Sequence, residues 1–236
     1  MTHLNFNPMK FVKQKGFTLL ELSVSLIVIG LIIGAVTIMK DTQRGASYQR
    51  LSSDFVQAWV SAYERHYEGT GRPPGDNVVA PTGLVSGVTG TEISDLNLRN
   101  AMLAAGVTLP AGRAEGSEDR YVYLDINGNP QQVQVSFENV AWSEAGAAEG
   151  NYVSRNRNVM VLRGLTPSLA VMLDNVFDSR ANASFGKMRQ IGQHNITTNG
   201  RGAVAWSDSE CTGNNCQNNL DEGQSVTLNA YILMSR

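Results

Sequence analysis

The sequence predicts an α+β protein in which a long N-terminal helix, apolar in its first half and amphipathic in its second, packs on an antiparallel sheet. Three observations carry that expectation. Residues 17–39 are dominated by Leu, Ile and Val, with Glu21 as their only charge. Tyr48, Leu51, Phe55, Trp59, Ala62 and His66 then recur at spacings of three and four, the period of a one-sided helix. Further on, alternating residues flank an Asn127-Gly128 turn, and the C-terminus alternates again.

Taken in order, residues 1–16 carry Lys10, Lys13 and Lys15 and no acid, which holds this end in the cytoplasm by the positive-inside rule. Residues 17–39 are long enough, at 1.5 Å per residue, to cross a hydrocarbon core of about 30 Å. A secretory signal would have a shorter apolar core and a small-residue cleavage site after it; here "TIMKD" follows, so the segment reads as retained. Residues 40–68 continue the helix out of the membrane, and Gly69, Gly71, Pro73 and Pro74 end it. Unbroken from 17 to 68, that helix would be on the order of 78 Å long.

Residues 69–236 read as a strand-rich globular domain. Ser94 caps a helix running to Ala105 and stopped by Gly106. Tyr121 and Tyr123 on one side of the Asn127-Gly128 turn, and Val133, Val135 and Phe137 on the other, alternate with other residues as in a hairpin. Thr166 and Pro167 open a helix with Leu169, Met172, Leu173, Val176 and Phe177 on one apolar face. Val226, Leu228, Ala230, Ile232 and Met234 line one side of a last strand.

Composition narrows the function. A formal charge of −2 and a pI near 5.9 leave no footprint for nucleic acid, and the one basic run, around Arg155 and Arg157, reads as a solvated loop. His3, His66 and His194 are scattered, and no G-x-S-x-G, phosphate loop or H-E-x-x-H occurs, so the chain reads as a non-enzyme. Asp174 and Asp178 share a helical face but read as wet acids near a helix end. Asp125, Asn127 and Asn129 imitate the start of a calcium loop; Ser136 stands where its bidentate Glu belongs, so a structural turn is expected. Cys211 and Cys216, four apart among Gly and Asn, can close a disulfide in an oxidising compartment or stay as two reduced thiols.

Glu21 remains to be explained, because an acid in lipid is costly unless paired. The stretch "KGFTLLELS" before the long apolar run resembles the processing site of the type IV pilin-like proteins: type IV pilins, minor pilins and type II secretion pseudopilins. The resemblance implies cleavage between Gly16 and Phe17, after Lys15, by a prepilin peptidase that also N-methylates Phe17. It implies a subunit of a pilus or pseudopilus, single-pass in the bacterial inner membrane, with its C-terminal domain periplasmic. Its partners are then other pilins or pseudopilins and an inner-membrane assembly platform.

Cleavage also creates an ammonium at Phe17, about 6 Å along a helix axis from Glu21. In the family this glutamate neutralises the amine of a neighbouring subunit and selects the register of stacking. Gly30 and Gly34 form a G-x-x-x-G step that can bring two helices close. The family's proline near the outer end of the apolar run is replaced by Ile38 and Met39, a departure that leans towards a minor pilin or pseudopilin. Some pseudopilins hold calcium in a C-terminal loop, which makes Asp208, Glu210, Asp221 and Glu222 weak candidates in a protein otherwise expected to need no cofactor. A pilus-borne adhesin or DNA-binding module is one alternative, although loss of the three leader lysines takes the charge from −2 to −5 and disfavours DNA. A periplasmic protein on an ordinary anchor is the other.

Overall fold

A computed structural model describes residues 16, 18–112, 117–206 and 227–235, without the side chains of 35–41. The chain divides into two units, Met1–Gln43 and Arg44–Arg236. It is α+β, with an N-terminal helix and a five-stranded antiparallel sheet.

Helix α1 spans Leu19–Arg50, and α2 spans Gln57–Thr70. Between them the expected α-helix is replaced by a π-helical turn, Leu51–Val56. A π turn has more residues per revolution than an α turn, so it directs two adjacent rows inward. Leu51, Ser52, Phe55 and Val56 are all buried there, while Ser53 and Asp54 stay in solvent. The helix runs past the expected end through Gly69 and Thr70; Gly71, at φ 71°, then closes it by donating its N–H to the Tyr67 carbonyl at 2.7 Å.

The sheet has the order β1-β2-β3-β5-β4, with β1 Arg120–Leu124, β2 Pro130–Ala145, β3 Tyr152–Leu165, β4 Met188–Gln190 and β5 Leu228–Leu233. Val133, Val135 and Phe137 of β2, Met160 and Leu162 of β3, and Ala230 and Ile232 of β5 share one apolar cluster with Tyr48, Phe55, Trp59 and Tyr63. Aromatic pairs join the layers: Tyr63 stacks on Phe137 at 5.0 Å, Phe55 meets Tyr121 at 5.4 Å, and Tyr48 meets Tyr123 edge-on at 5.8 Å. Each fully buried aromatic or aliphatic side chain contributes roughly 1.5–3 kcal/mol.

The opposite face carries a smaller cluster of Val140, Trp142, Val159, Val161 and Tyr231, against which Ile191 packs. Arg155 and Arg157 lie on β3, not in a loop as expected. The period of two places them on the same side as Val159 and Val161, and both reach Glu144, Arg157 Nε at 2.5 Å and Arg155 Nε at 3.5 Å.

Near its end β3 bulges between Leu162 and Leu165. Gly164 sits in that bulge at φ 80°, and a Cβ there would overlap the Gln132 carbonyl oxygen. Gly164→Ala therefore combines strain and a backbone clash, and is expected to cost about 2–4 kcal/mol. Thermal unfolding checks this: the midpoint should fall by roughly 5–10 °C for a domain of this size.

Two short helices complete the unit. In α3, Asp95–Ala104, Ser94 holds the N-cap position, but its hydroxyl donates to Asp95 Oδ2 at 3.1 Å instead of accepting a backbone N–H. Helix α4, Pro167–Asp178, starts at Thr166 and Pro167 as expected. Its inward face is rotated from the expected one: Leu169, Ala170, Leu173 and Asp174 are buried, and Val176 is exposed.

Candidate functional site

The N-terminal segment is built on a helix start. The Thr18 hydroxyl accepts the Glu21 N–H at 3.2 Å, and the Thr18 carbonyl accepts that of Leu22 at 3.1 Å. Thr18-Leu19-Leu20-Glu21 is thus a T-x-x-E sequence with Thr at the N-cap and Glu at N3, the pattern of a capping box. Read only as a charge, Glu21 hides this local role, which its spacing from Thr18 nonetheless signals. Glu21 also lies in the first turn of α1, where the helix dipole favours an anion.

Beyond Glu21 the described apolar surface is uncovered. Eleven large apolar side chains between Leu19 and Ile33 are 47–88% exposed. The hydroxyls among them are satisfied within the helix, Ser23 donating to the Leu20 carbonyl and Ser25 to the Glu21 carbonyl, both at 2.8 Å. A Cβ added at Gly30 or Gly34 would meet no atom within 4 Å, so both positions are open to another body. Among the described residues no helix is long and apolar enough to cross a membrane. The described side chains of the apolar run stop at 34, and those at 35–39 and residue 17 lie outside them.

Gly16 is exposed and non-helical. Lys15 and Phe17 lie outside the described residues, as do Cys211, Cys216, Asp208, Glu210, Asp221 and Glu222.

Asp125, Asp174 and Asp178 are each engaged within the globular unit. Asp125 is buried, and its carboxylate accepts the N–H groups of Asn127 at 2.9 Å and Asn129 at 2.8 Å and the Asn129 and Gln131 side-chain amides at 3.3 Å. Burial pushes this carboxyl up, but those donors outweigh it and hold its pKa below the ordinary value. It organises a turn.

Asp174 and Asp178 are not wet acids, contrary to expectation. Asp174 is fully buried; its Oδ2 accepts the Trp206 indole N–H at 2.8 Å and the Asn182 N–H at 2.6 Å. Burial, with the nearby Asp178 carboxylate adding to it, raises its pKa to about 7. Asp178 accepts the N–H groups of Lys187 and Met188, each at 2.9 Å.

No sequence pattern marks Arg189 or Arg201. Arg189 lies 4.2 Å over the Trp142 ring and donates to the Ser143 carbonyl at 2.8 Å, the His194 carbonyl at 3.2 Å and the Gly186 carbonyl at 2.9 Å. Arg201 stacks on Phe185 and donates to the carbonyls of Ser184, Gln193 and Ile196. Among the described residues neither has a carboxylate within ion-pair distance; backbone carbonyls and aromatic faces replace it. Lysine cannot reproduce that planar fork. Arg189→Lys is expected to cost about 2–3 kcal/mol, read as a lower urea midpoint with unchanged slope.

Among the described residues no group of three His, Cys, Asp or Glu side chains is placed to hold a metal ion. Recesses on the globular unit are lined by groups already engaged, such as Asp178 in one and Asn139 and Asn158 in another, the last two bonded to each other at 2.8 Å.

A family model described as a prokaryotic N-terminal methylation motif matches residues 12–37. That motif is the type IV pilin-like prepilin signal, and the chain carries it. Lys15, Gly16, Phe17, Glu21, Gly30 and Gly34 all fall inside the matched residues, whereas the globular unit lies outside them. No curated protein and no solved structure matches the chain. The signal implies processing by a prepilin peptidase and assembly with other pilins, and the proteins that bear it are structural subunits.

Proposed function

We propose that this chain is a prepilin-like structural subunit, a minor pilin or a secretion pseudopilin. It is cut after Gly16, leaving 220 of its 236 residues, and N-methylated at Phe17. Residues 17–39 hold it in the bacterial inner membrane and later form the core of the fibre, while the globular unit faces the periplasm. The observation that carries this reading is the placement of the methylation motif: it covers the start of a helix whose large apolar side chains from Leu19 to Ile33 are exposed and whose only charge over that stretch is an acid in the first turn.

Glu21 has two tasks in this reading. Its backbone N–H is held by Thr18, which fixes the helix start, and its carboxylate receives the Phe17 ammonium of a neighbouring subunit. An ammonium left unpaired between packed helices is costly, so the pair acts mainly against misregistered stacking. Gly30 and Gly34 let the neighbour approach. The sharing of one apolar core by residues 48–63 and the sheet supports a pilin-like arrangement of the globular unit. A Cys211–Cys216 disulfide would form after export, and no cofactor is required.

The chain should appear in fibres sheared from cells that express its own assembly system. It should vanish from that fraction, and accumulate uncut in membranes, when the prepilin peptidase is deleted. Equal recovery in the fibre fraction with and without the peptidase would count against the proposal.

A further inference from the structure

The β1–β2 hairpin exposes two apolar side chains at its tip, Leu124 and Ile126, at 55% and 53%. Between them Asp125 is turned inward at 3% exposure, where its four hydrogen bonds tie Asn127, Asn129 and Gln131 together. The backbone adds Asp125 N–H to the Asn129 carbonyl at 3.0 Å and Gly128 N–H to the Asp125 carbonyl at 3.1 Å. The tip is therefore preorganised, so holding the two apolar groups out needs little further ordering. From 121 to 132 the only ionisable acid or base is Asp125, apart from the tyrosine hydroxyls, and that acid is buried.

Contacts with the helix fix the position of the tip within its unit. Glu118 bonds Trp59, Tyr121 meets Phe55 and Tyr123 meets Tyr48, so β1 runs antiparallel to the helix. The tip lies at the pole where the chain enters the unit. Tyr48 lies nine positions after 39, the outer end of the predicted span, a tether of about 14 Å if helical and roughly 30 Å at most. Lys40 and Arg44, with Asp41, lie on that tether and favour an anionic surface. Among the described residues of the globular unit, Val78 and Val79 are the most exposed large apolar side chains, at 71% and 92%, but their loop follows the other end of the helix and lacks this tether.

We propose that the Leu124–Ile126 tip rests in the headgroup layer of the membrane in the unassembled subunit, a second contact that orients the globular unit before the subunit is drawn into a fibre. This rests on the anchoring of residues 17–39 in the bilayer.

The test uses the full chain, without its leader, in phosphatidylcholine–phosphatidylglycerol vesicles at low protein density. A single tryptophan is added by Ile126→Trp, Val79→Trp or Leu31→Trp; the native Trp59, Trp142 and Trp206 are buried and give a common background. With a nitroxide near the headgroup, the added emission of Ile126→Trp should fall on the order of twofold, and that of Val79→Trp should not change. Quenching of Leu31→Trp by a deeper nitroxide reports the anchor itself. If Leu31→Trp is quenched and Ile126→Trp is not, the tip contact is overturned alone. If neither is quenched, the anchor and the tip contact both fall. Shielding of Ile126→Trp that grows with protein density and is indifferent to the lipid nitroxide would assign the tip to a second copy and overturn the proposal.

Discussion

Glu21→Val is expected to leave the precursor in the membrane and to reduce assembled fibre by about 100-fold or more. The two roles of an anchor and an assembly element predict opposite outcomes. Removing a carboxylate from an apolar helix eases insertion by up to about 3 kcal/mol, so a residue needed only for anchoring would be improved by valine. In a packed fibre the same change strands the Phe17 ammonium, and breaking a buried ion pair from one side costs about 3–5 kcal/mol, with each 1.4 kcal/mol worth tenfold. Glu21→Gln separates charge from capping. Glutamine serves at N3 of a capping box, so the helix start held by Thr18 is kept while the charge is lost. Both variants should therefore fail in the sheared-fibre fraction, and helix content should be unchanged. A Gln variant that assembles like the parent would transfer the role of Glu21 from charge pairing to capping.

Asp174→Asn is expected to change the pH dependence of stability, and above pH 7 to raise stability by an amount on the order of 3 kcal/mol. The Asp174 carboxyl has a folded pKa of about 7, raised from 3.8 by burial. Between those values the folded state holds a proton that the unfolded state has lost, so this group's contribution is present below pH 4 and lost as pH rises through 7. His194 acts in the opposite direction. Burial, with Arg189 adding to it, lowers its pKa from 6.5 to about 4, so its contribution is lost as pH falls through that range.

The two slopes offset one another between pH 4 and 6.5, which makes the parent alone uninformative. Asparagine removes one of them: denaturant titrations should show the variant gaining stability from pH 4 to 6.5 and holding it at pH 8. A variant whose pH profile runs parallel to the parent's would show that Asp174 is ionised in the folded protein. Asn also keeps an oxygen for Trp206 and Asn182, so the comparison isolates the charge.

These two residues also show what the sequence does and does not reveal. The apolar run, the stripe from Tyr48 to His66, the Asn127-Gly128 hairpin and the Thr166-Pro167 helix start depend on nearest neighbours in the chain, and they were legible. The inward turn of Asp174 was not, because its donors, the Trp206 indole 32 residues away and the Asn182 N–H beyond the helix end, are brought to it only by the fold. The same holds for Arg189, whose acceptors lie on Ser143 and His194, and for the second sheet face it helps to cover. The π turn escaped periodicity because it buries Ser52, a polar residue that no apolar count includes. At the candidate site the signal is local: Thr18 starts a legible T-x-x-E, and Glu21 carries a capping role on its backbone as well as a charge that is costly in lipid.

The most direct test of the central claim is the mass of the mature N-terminal peptide from protein extracted with its native membranes. The account predicts that it begins at Phe17, carries one added methyl group on its amine and lacks residues 1–16. A chain that still begins at Met1 in cells with an active prepilin peptidase would contradict it, because no ammonium would then exist beside Glu21.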